Sequence, residues 1–232
     1  MKLVVINPNS TQSMTDKVTI AARAVAGDAV EIEGRTAHGA PASIEGHFDE
    51  AICAAHLLRE VQAAETAGAD AIIVACFDDP AIGACREIAT GPVLGICEAG
   101  VKAASMIATS FSIVTTLPRS VPIIEALVRQ YGLDHLCRRV RSAEIPVLAL
   151  EEPGSNTRQL VRDEILRAID EDGCEAVVLG CAGMSDLTEW LSRETGVPVI
   201  DGVTVATKFA EALVGSGLAT SKIGAYALPN EK

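Results

Sequence analysis

The sequence predicts an α/β fold of two similar parallel-sheet domains related by a pseudo-twofold axis, and three observations carry that reading. Short runs rich in Val and Ile alternate with longer amphipathic stretches, the pattern of parallel strands covered by helices on both faces. Gly68-Ala-Asp-Ala-Ile-Ile-Val-Ala-Cys76 recurs 105 residues later as Gly173-Cys-Glu-Ala-Val-Val-Leu-Gly-Cys181. Two more pairs keep the same order at nearly the same spacing: Pro8-Asn-Ser10 with Pro118-Arg-Ser120, and Pro92-Val-Leu-Gly with Pro198-Val-Ile-Asp. Each half is then about one hundred residues, an ordinary size for a small domain.

In chain order, the expected strands are Lys2–Ile6, Val30–Gly34, Ala71–Ala75, Val93–Ile96, Phe111–Thr115, Val140–Arg141 running toward Ile145, Ala176–Gly180 and Val199–Asp201. Between them, Phe48–Ala67 reads as a helix closed by Gly68. Asn156–Asp172 reads as another, capped by Ser155 and closed by Gly173. Val203–Val214 reads as a last helix that packs back on the first half. The boundary is placed in Gly100–Thr109, giving a discontinuous first domain, 1–100 with 203–232, and a second domain, 101–202.

Composition excludes several functions. The net charge is −12, against the positive footprint that nucleic acid or an anionic membrane requires. Aromatic residues are 3% of the chain, too few for base-stacking surfaces. The opening MKLVVINPNS reaches Asn7 and Pro8 too soon for a signal-peptide core, and no later apolar run has the length of a membrane span. We therefore expect a cytoplasmic protein with reduced thiols and with neither nucleic-acid nor membrane partners. A homo-oligomer is a separate expectation, since a surface of this charge still has room for an apolar interface between copies.

Seven cysteines cannot all pair, and none lies in a C-x-x-C spacing. The repeat separates two of them from the rest. Cys76 and Cys181 each end a buried parallel strand, and open α/β sheets bind ligands outside the carboxyl ends of their strands. If the two halves face each other, the two thiols approach one cleft from opposite sides. Such a pair can take a proton from one face of a carbon and return one to the other, with one thiolate and one thiol at any moment. Pro80 reads as a first helical residue after Cys76, and Ser185 as an N-cap after Cys181, so helix N–H groups would favour the thiolates. Asp78 and Asp79 would oppose this at Cys76 if they faced it. Cys53, Cys85, Cys137 and Cys174 read as packing residues within or near helices, and Cys97 as a residue able to reach the cleft rim.

Other chemistries lack their residues. His38, His47, His56 and His135 sit at no repeated strand end and have no metal-ligand spacing. Gly215-Ser-Gly217 lacks the third glycine and the preceding strand of a dinucleotide fingerprint, and no lysine lies beside a phosphate-binding loop for pyridoxal phosphate. Cofactor-free chemistry on a small molecule is the expectation that remains.

INPNS (Ile6–Ser10), PASIEGHFDEA (Pro41–Ala51), ACFDDP (Ala75–Pro80), VTTLPRS (Val114–Ser120) and LGCAGM (Leu179–Met184) together resemble the hydantoin/allantoin racemase branch of the aspartate/glutamate racemase superfamily. The likeness runs over nearly the whole chain. It implies a cofactor-independent two-base racemase with its site between paired α/β domains and Cys76 and Cys181 as the catalytic pair. It also implies substrate contacts from Asn9, Ser43, Phe77, Thr116, Ala182 and Gly183. Asn9 and Ser10 also read as caps of the first helix, and Pro118 as a turn former. The amino-acid racemases of the superfamily carry polar residues after both cysteines, whereas Phe77 and Ala182 stand there in this chain. Apolar walls suit a flat, uncharged ring, so the expected substrate is a cyclic ureide, a 5-substituted hydantoin. Allantoin, itself a hydantoin with a ureido group at C5, is the alternative; SIEGHFDEA and Glu151–Leu160 look more hydantoin-like, ACFDDP and TTLPRSVP at least as allantoin-like. A decarboxylase or isomerase of the same superfamily, and a non-catalytic small-molecule sensor, are the remoter alternatives.

Overall fold

Buried, β-branched strands pair only in parallel, and they do so twice. The structure, a computed structural model, describes residues 1–152 and 154–230. Pro153 of the Glu151–Leu160 stretch and residues 231–232 of the expected first domain lie outside them. The first sheet contains β1 (Lys2–Asn7), β2 (Glu31–Thr36), β3 (Ala71–Val74) and β4 (Val93–Gly95) in the order β2-β1-β3-β4. The second contains β5 (Phe111–Thr115), β6 (Cys137–Ser142), β7 (Ala176–Leu179) and β8 (Val199–Asp201) in the order β6-β5-β7-β8. The two orders are the same order repeated, as the sequence repeat required.

Register places the functional ends. Ile6 pairs with Val74 in the first sheet, and Val114 with Leu179 in the second. The residues that follow each pair therefore leave the sheet side by side: Asn7 with Ala75 and Cys76, and Thr115 with Gly180 and Cys181. β3 and β7 are buried at all four positions, so their ends are fixed by packing on both faces.

Helices follow the strands in the same sequence: α1 (Gln12–Val25), α2 (His47–Thr66), α3 (Ile82–Ile88) and α4 (Ile96–Ile107), then α5 (Val121–Gln130), α6 (Thr157–Arg167), α7 (Thr188–Thr195) and α8 (Gly202–Gly215). The last helix of each half crosses to the other. α4 packs on β7, β8 and α5, whereas α8 packs on β3, β4 and α1, and the two helices pack on each other. Val5 and Ile73 of the first sheet, Ile113 and Val178 of the second, Val101 of α4 and Val203 of α8 thus share one core. Separate cores fill the outer faces of the two halves. On this packing we propose the division into 1–100 with 203–232 and 101–202.

The two crossing helices are capped differently. Asp201 accepts hydrogen bonds from the N–H groups of Val203 (3.2 Å) and Thr204 (2.9 Å) at the start of α8. Its counterpart in the first half is Gly95, which has no side chain to offer. The N–H groups of Cys97 and Glu98 instead donate to Asp79, at 3.1 and 2.9 Å, and the Tyr131 hydroxyl donates to the same carboxyl at 2.7 Å. A Cβ at Gly95 would lie 2.2 Å from that carboxyl, so the borrowed cap requires glycine there.

Several local expectations are corrected. α6 starts at Thr157 behind Asn156, because the Ser155 hydroxyl is engaged with Ala149 O and Thr157 Oγ1 rather than with a helix N–H. The helix also loosens into a wider π turn at Ala168–Asp172, whose Glu171 and Asp172 are drawn to Arg141. Pro80 precedes α3, which begins after Ala81 in a left-handed conformation (φ 51°). Ser185 lies inside a 3-10 turn, Ala182–Leu187, and caps nothing. Cys137 opens β6 rather than ending a helix.

Candidate active site

One cavity lies where the carboxyl ends of β3 and β7 meet, with about 510 Å³ of space counting its open mouth. Cys76 enters it from the first half and Cys181 from the second, and both are half-buried. Of the other residues expected here, Asn9, Phe77, Thr116, Ala182 and Gly183 line the cavity. Ser43 does not. Ile44 lines it instead, held in an apolar cluster with Ala37, Ala40, Cys53 and Cys76, while the Ser43 hydroxyl turns to Glu45 Oε1 at 3.0 Å. Bonds to its carbonyl groups hold this loop in place: Ser10 N–H donates to Pro41 O (2.9 Å) and the Thr11 hydroxyl to Ala42 O (2.7 Å).

Asn9 organises its own loop. Its Oδ1 accepts from Asn7 Nδ2 (2.8 Å) and Thr11 N–H (2.9 Å), and its Nδ2 reaches the sulfur of Met14 (3.3 Å). The side chain therefore fixes the start of α1 and also faces the cavity. Thr116 and Ser120 are buried, line the cavity, and direct their hydroxyls to no hydrogen-bond partner among the described residues. They remain available to a ligand.

Two cysteines in matching positions have unlike surroundings. Burial pushes both thiols up, Cys181 to about 11 and Cys76 well above the ordinary range. A backbone N–H two residues on works against this at each sulfur, that of Gly183 at Cys181 and that of Asp78 at Cys76. The Asp78 carboxyl reinforces burial at both sulfurs and ranks next after burial at Cys76, whereas the Lys17 ammonium favours the Cys181 thiolate. Lys17 comes from α1 of the other half. It donates to Gly183 O (3.2 Å) and Leu150 O (3.3 Å) and pairs with Glu151 (2.7 Å), pinning the turn that carries Cys181. Asp79 is turned away to cap α4, so of the two acidic residues after Cys76 only Asp78 faces the site.

Cys97 is corrected as well: it is fully buried in the first turn of α4 beneath Asp79 and does not reach the rim. None of the four histidines lines the cavity, nor does any Lys or Arg among the described residues. No cluster of three His, Cys, Asp or Glu among the described residues is arranged to hold a metal ion. Asn7 and Ser120 are lining residues that sequence reasoning did not select, and Asp78 is one whose facing it left undecided. Asn7 and Ser120 belong to segments the repeat and the motifs had marked, so a signal existed. Lys17 had none, because it acts across the interface between halves.

What this arrangement can do is bounded by its chemistry. It offers two thiols, one from each half, hydroxyl and amide groups for a polar edge, an apolar face from Phe77 and Ala182, and, among the described residues, no cation for a carboxylate.

Comparison with known proteins identifies the family. The profile of the family described as Asp/Glu/Hydantoin racemase matches residues 3–210. A hydantoin racemase of Rhizobium meliloti is 52% identical over 232 residues, covering 100% of this chain and 96% of that protein. A hydantoin racemase of Pseudomonas sp. (strain NS671) is 41% identical, covering 100% and 93%. Among solved structures, allantoin racemase from Klebsiella pneumoniae is similar with a TM-score of 0.98 and 47% identity, covering 100% of this chain and 95% of that one. No helix among the described residues is long and apolar enough to cross a membrane.

Proposed function

The chain belongs to the Asp/Glu/hydantoin racemase family and is a racemase, and from that premise we propose that it inverts the C5 centre of 5-substituted hydantoins, Cys76 and Cys181 acting in turn as base and acid. The observation that carries the proposal is the convergence of two thiols, one from each half, on a single cavity. The thiolate of one cysteine takes the C5 proton and becomes a thiol. The electron pair delocalises into the adjacent C4 carbonyl, leaving a planar enolate. The opposite thiol then gives its proton to the other face of C5 and becomes the thiolate, so the enzyme ends one turnover poised for the reverse reaction. No external proton acceptor is consumed.

The surroundings fit this chemistry. The hydroxyls of Thr116 and Ser120 have no protein partner among the described residues and suit an enolate oxygen, whose charge develops only as the proton leaves. Phe77 and Ala182 supply the apolar contact for a ring. The absence of Lys, Arg and His from the lining among the described residues argues for an uncharged substrate over an amino acid, whose carboxylate would meet Asp78 without a counter-ion. Because burial raises both thiols, desolvation of the bound ring is matched by a strong thiolate base once it forms.

Allantoin with the same mechanism is the second reading, favoured by the likeness to the allantoin racemase structure. A panel of enantiopure 5-alkyl- and 5-aryl-hydantoins, allantoin, glutamate and aspartate, followed by polarimetry, separates these. We expect rapid loss of rotation with the hydantoins, slower or equal loss with allantoin, and none with the amino acids. Racemisation of glutamate or aspartate without that of any cyclic ureide would overturn the proposal.

A further inference from the structure

Asp78 is a buried carboxyl that the protein leaves without a partner. It is 5% exposed, it lines the cavity beside both thiols, and no side chain or backbone group among the described residues donates to it. Its neighbour Asp79 makes the contrast: equally buried, it accepts from two N–H groups and a hydroxyl. A carboxyl with no protein donor, its oxygens open only to the cavity, is poorly solvated in the folded protein. Such a group at the wall of a cavity points to a ligand that brings the donor.

The chemistry of the cavity narrows what that donor is. A cationic ligand would suit Asp78, but the rest of the wall is apolar or neutral and already holds two ionisable thiols. A neutral ring bearing N–H groups satisfies the carboxyl without introducing a charge. We infer that Asp78 is the substrate-positioning residue of this site, accepting a hydrogen bond from a ring N–H of the cyclic ureide and so setting which way C5 faces between Cys76 and Cys181. The inference rests on the cyclic-ureide reading above and deepens it.

The electrostatics agree with this assignment. Burial, then the charges of Glu50 on α2 and of Asp79, lift the Asp78 carboxyl to about 7, the behaviour of a carboxyl its own protein does not satisfy. The thiols of Cys76, Cys181 and Cys53 lie within reach of the same charge, and each is raised by it. A donor from the substrate would relieve this crowding at the moment of binding. Discrimination follows from the same geometry, because a ring lacking that N–H covers the carboxyl and leaves it unpaired.

The test is a cycle between residue and ring. Wild type, Asp78→Ala and Asp78→Asn are assayed with a 5-substituted hydantoin, with the oxazolidine-2,4-dione that replaces N1–H by oxygen, and with the N3-methyl hydantoin. Wild type is expected to lose about 10- to 100-fold in kcat/KM on deletion of the N–H that Asp78 holds. Asp78→Ala is expected to lose a similar factor with the hydantoin and little more with that analogue, while Asp78→Asn, whose amide oxygen still accepts, recovers part of the loss. Urea unfolding of the ligand-free variants supplies a readout that a structural role would move the other way: their midpoints should equal or exceed wild type. Equal discrimination among the three compounds by wild type and Asp78→Ala, or a lowered midpoint in both variants, would overturn the assignment while leaving hydantoin racemisation intact. Failure of wild type to racemise any hydantoin would remove the assignment together with the reading beneath it.

Discussion

Cys76→Ser and Cys181→Ser are each expected to lower racemisation of either hydantoin enantiomer by about 10²–10⁴-fold, the usual weight of a general acid or base. Each direction of the reaction uses both sulfurs, one to remove the proton and one to return one. Either replacement therefore stops inversion of both enantiomers, not of one. Serine keeps the shape of the side chain, but its hydroxyl is far too weak an acid to furnish the base at any working pH. The two losses need not be equal, because Lys17 favours a thiolate at Cys181 and Asp78 opposes one at Cys76. Cys137→Ser, at the start of β6 and away from the cavity, serves as the control and should keep activity within a few-fold of wild type. Chiral chromatography of initial rates gives the numbers. Inversion at more than a tenth of the wild-type rate in both site variants would remove the two-thiol mechanism.

The second large effect concerns stability. Arg141→Met is expected to cost about 3–5 kcal/mol, a large part of the 5–15 kcal/mol typical of a folded domain. Arg141 is 8% exposed and gathers three acids. Its Nε and Nη2 grip Asp172 at 2.6 and 2.5 Å, Nη1 meets Glu164 at 3.1 Å, and Nη2 also reaches Glu171 at 2.6 Å. Arg167 pairs with the far side of Glu164, and Ser112 donates to Asp172 at 3.0 Å. This cluster ties β6, the edge strand of the second sheet, to α6 and to the π turn behind it. Removing the guanidinium leaves the Asp172 and Glu164 carboxylates in the interior without their partner.

Acid should narrow the difference. In wild type, burial is the largest single influence and raises Asp172, but the hydrogen bonds from Arg141 and Ser112 and the charges of Arg141 and Arg139 together outweigh it, so the carboxyl lies below the usual range. That contribution is present above the unfolded value, near 3.9, and is lost as pH falls through the lower folded value. In the variant the same buried carboxyl has no cation, its folded value rises, and protonation relieves it. Urea unfolding at pH 7 and at pH 5 should therefore show a smaller deficit at the lower pH. A deficit below about 1 kcal/mol at pH 7 would mean that solvent reaches the cluster.

Much of this molecule was legible in order and little of it in geometry. The eight strands fell within a few residues of their expected places; the central ones are nearly continuous apolar runs buried on both faces, whereas the edge strands β2 and β6 are partly exposed and polar. Phe111–Thr115 and Val199–Asp201 matched in full. Strand ends at Ile96 and Gly180 were overcalled, since apolar or small residues continue past the last ladder bond into the site loops. Helix starts were the weak point: the Ser155 hydroxyl turns to Ala149 O and Thr157 Oγ1, Ser185 lies inside a 3-10 turn, and left-handed Ala81 separates Pro80 from α3. The cysteine pair was readable because duplication wrote it twice. Asp78 and Asp79 were indistinguishable as neighbours in sequence, and only the Gly95 notch, 16 residues on, decides which one turns to α4 and which to the cavity. Lys17 and Arg141 lay beyond reach for the same reason: each acts across elements distant in the chain.

The central claim is that one proton leaves C5 to one sulfur and a different proton arrives from the other. Racemisation of each pure enantiomer in heavy water, read by chiral separation with mass spectrometry, tests it most directly. Wild type should place solvent deuterium at C5 in every inverted molecule. Cys76→Ser and Cys181→Ser should each exchange C5 of one enantiomer without inverting it, and the two variants should choose opposite enantiomers. Inverted product that keeps its original C5 proton, or the same enantiomer preference in both variants, would contradict the account.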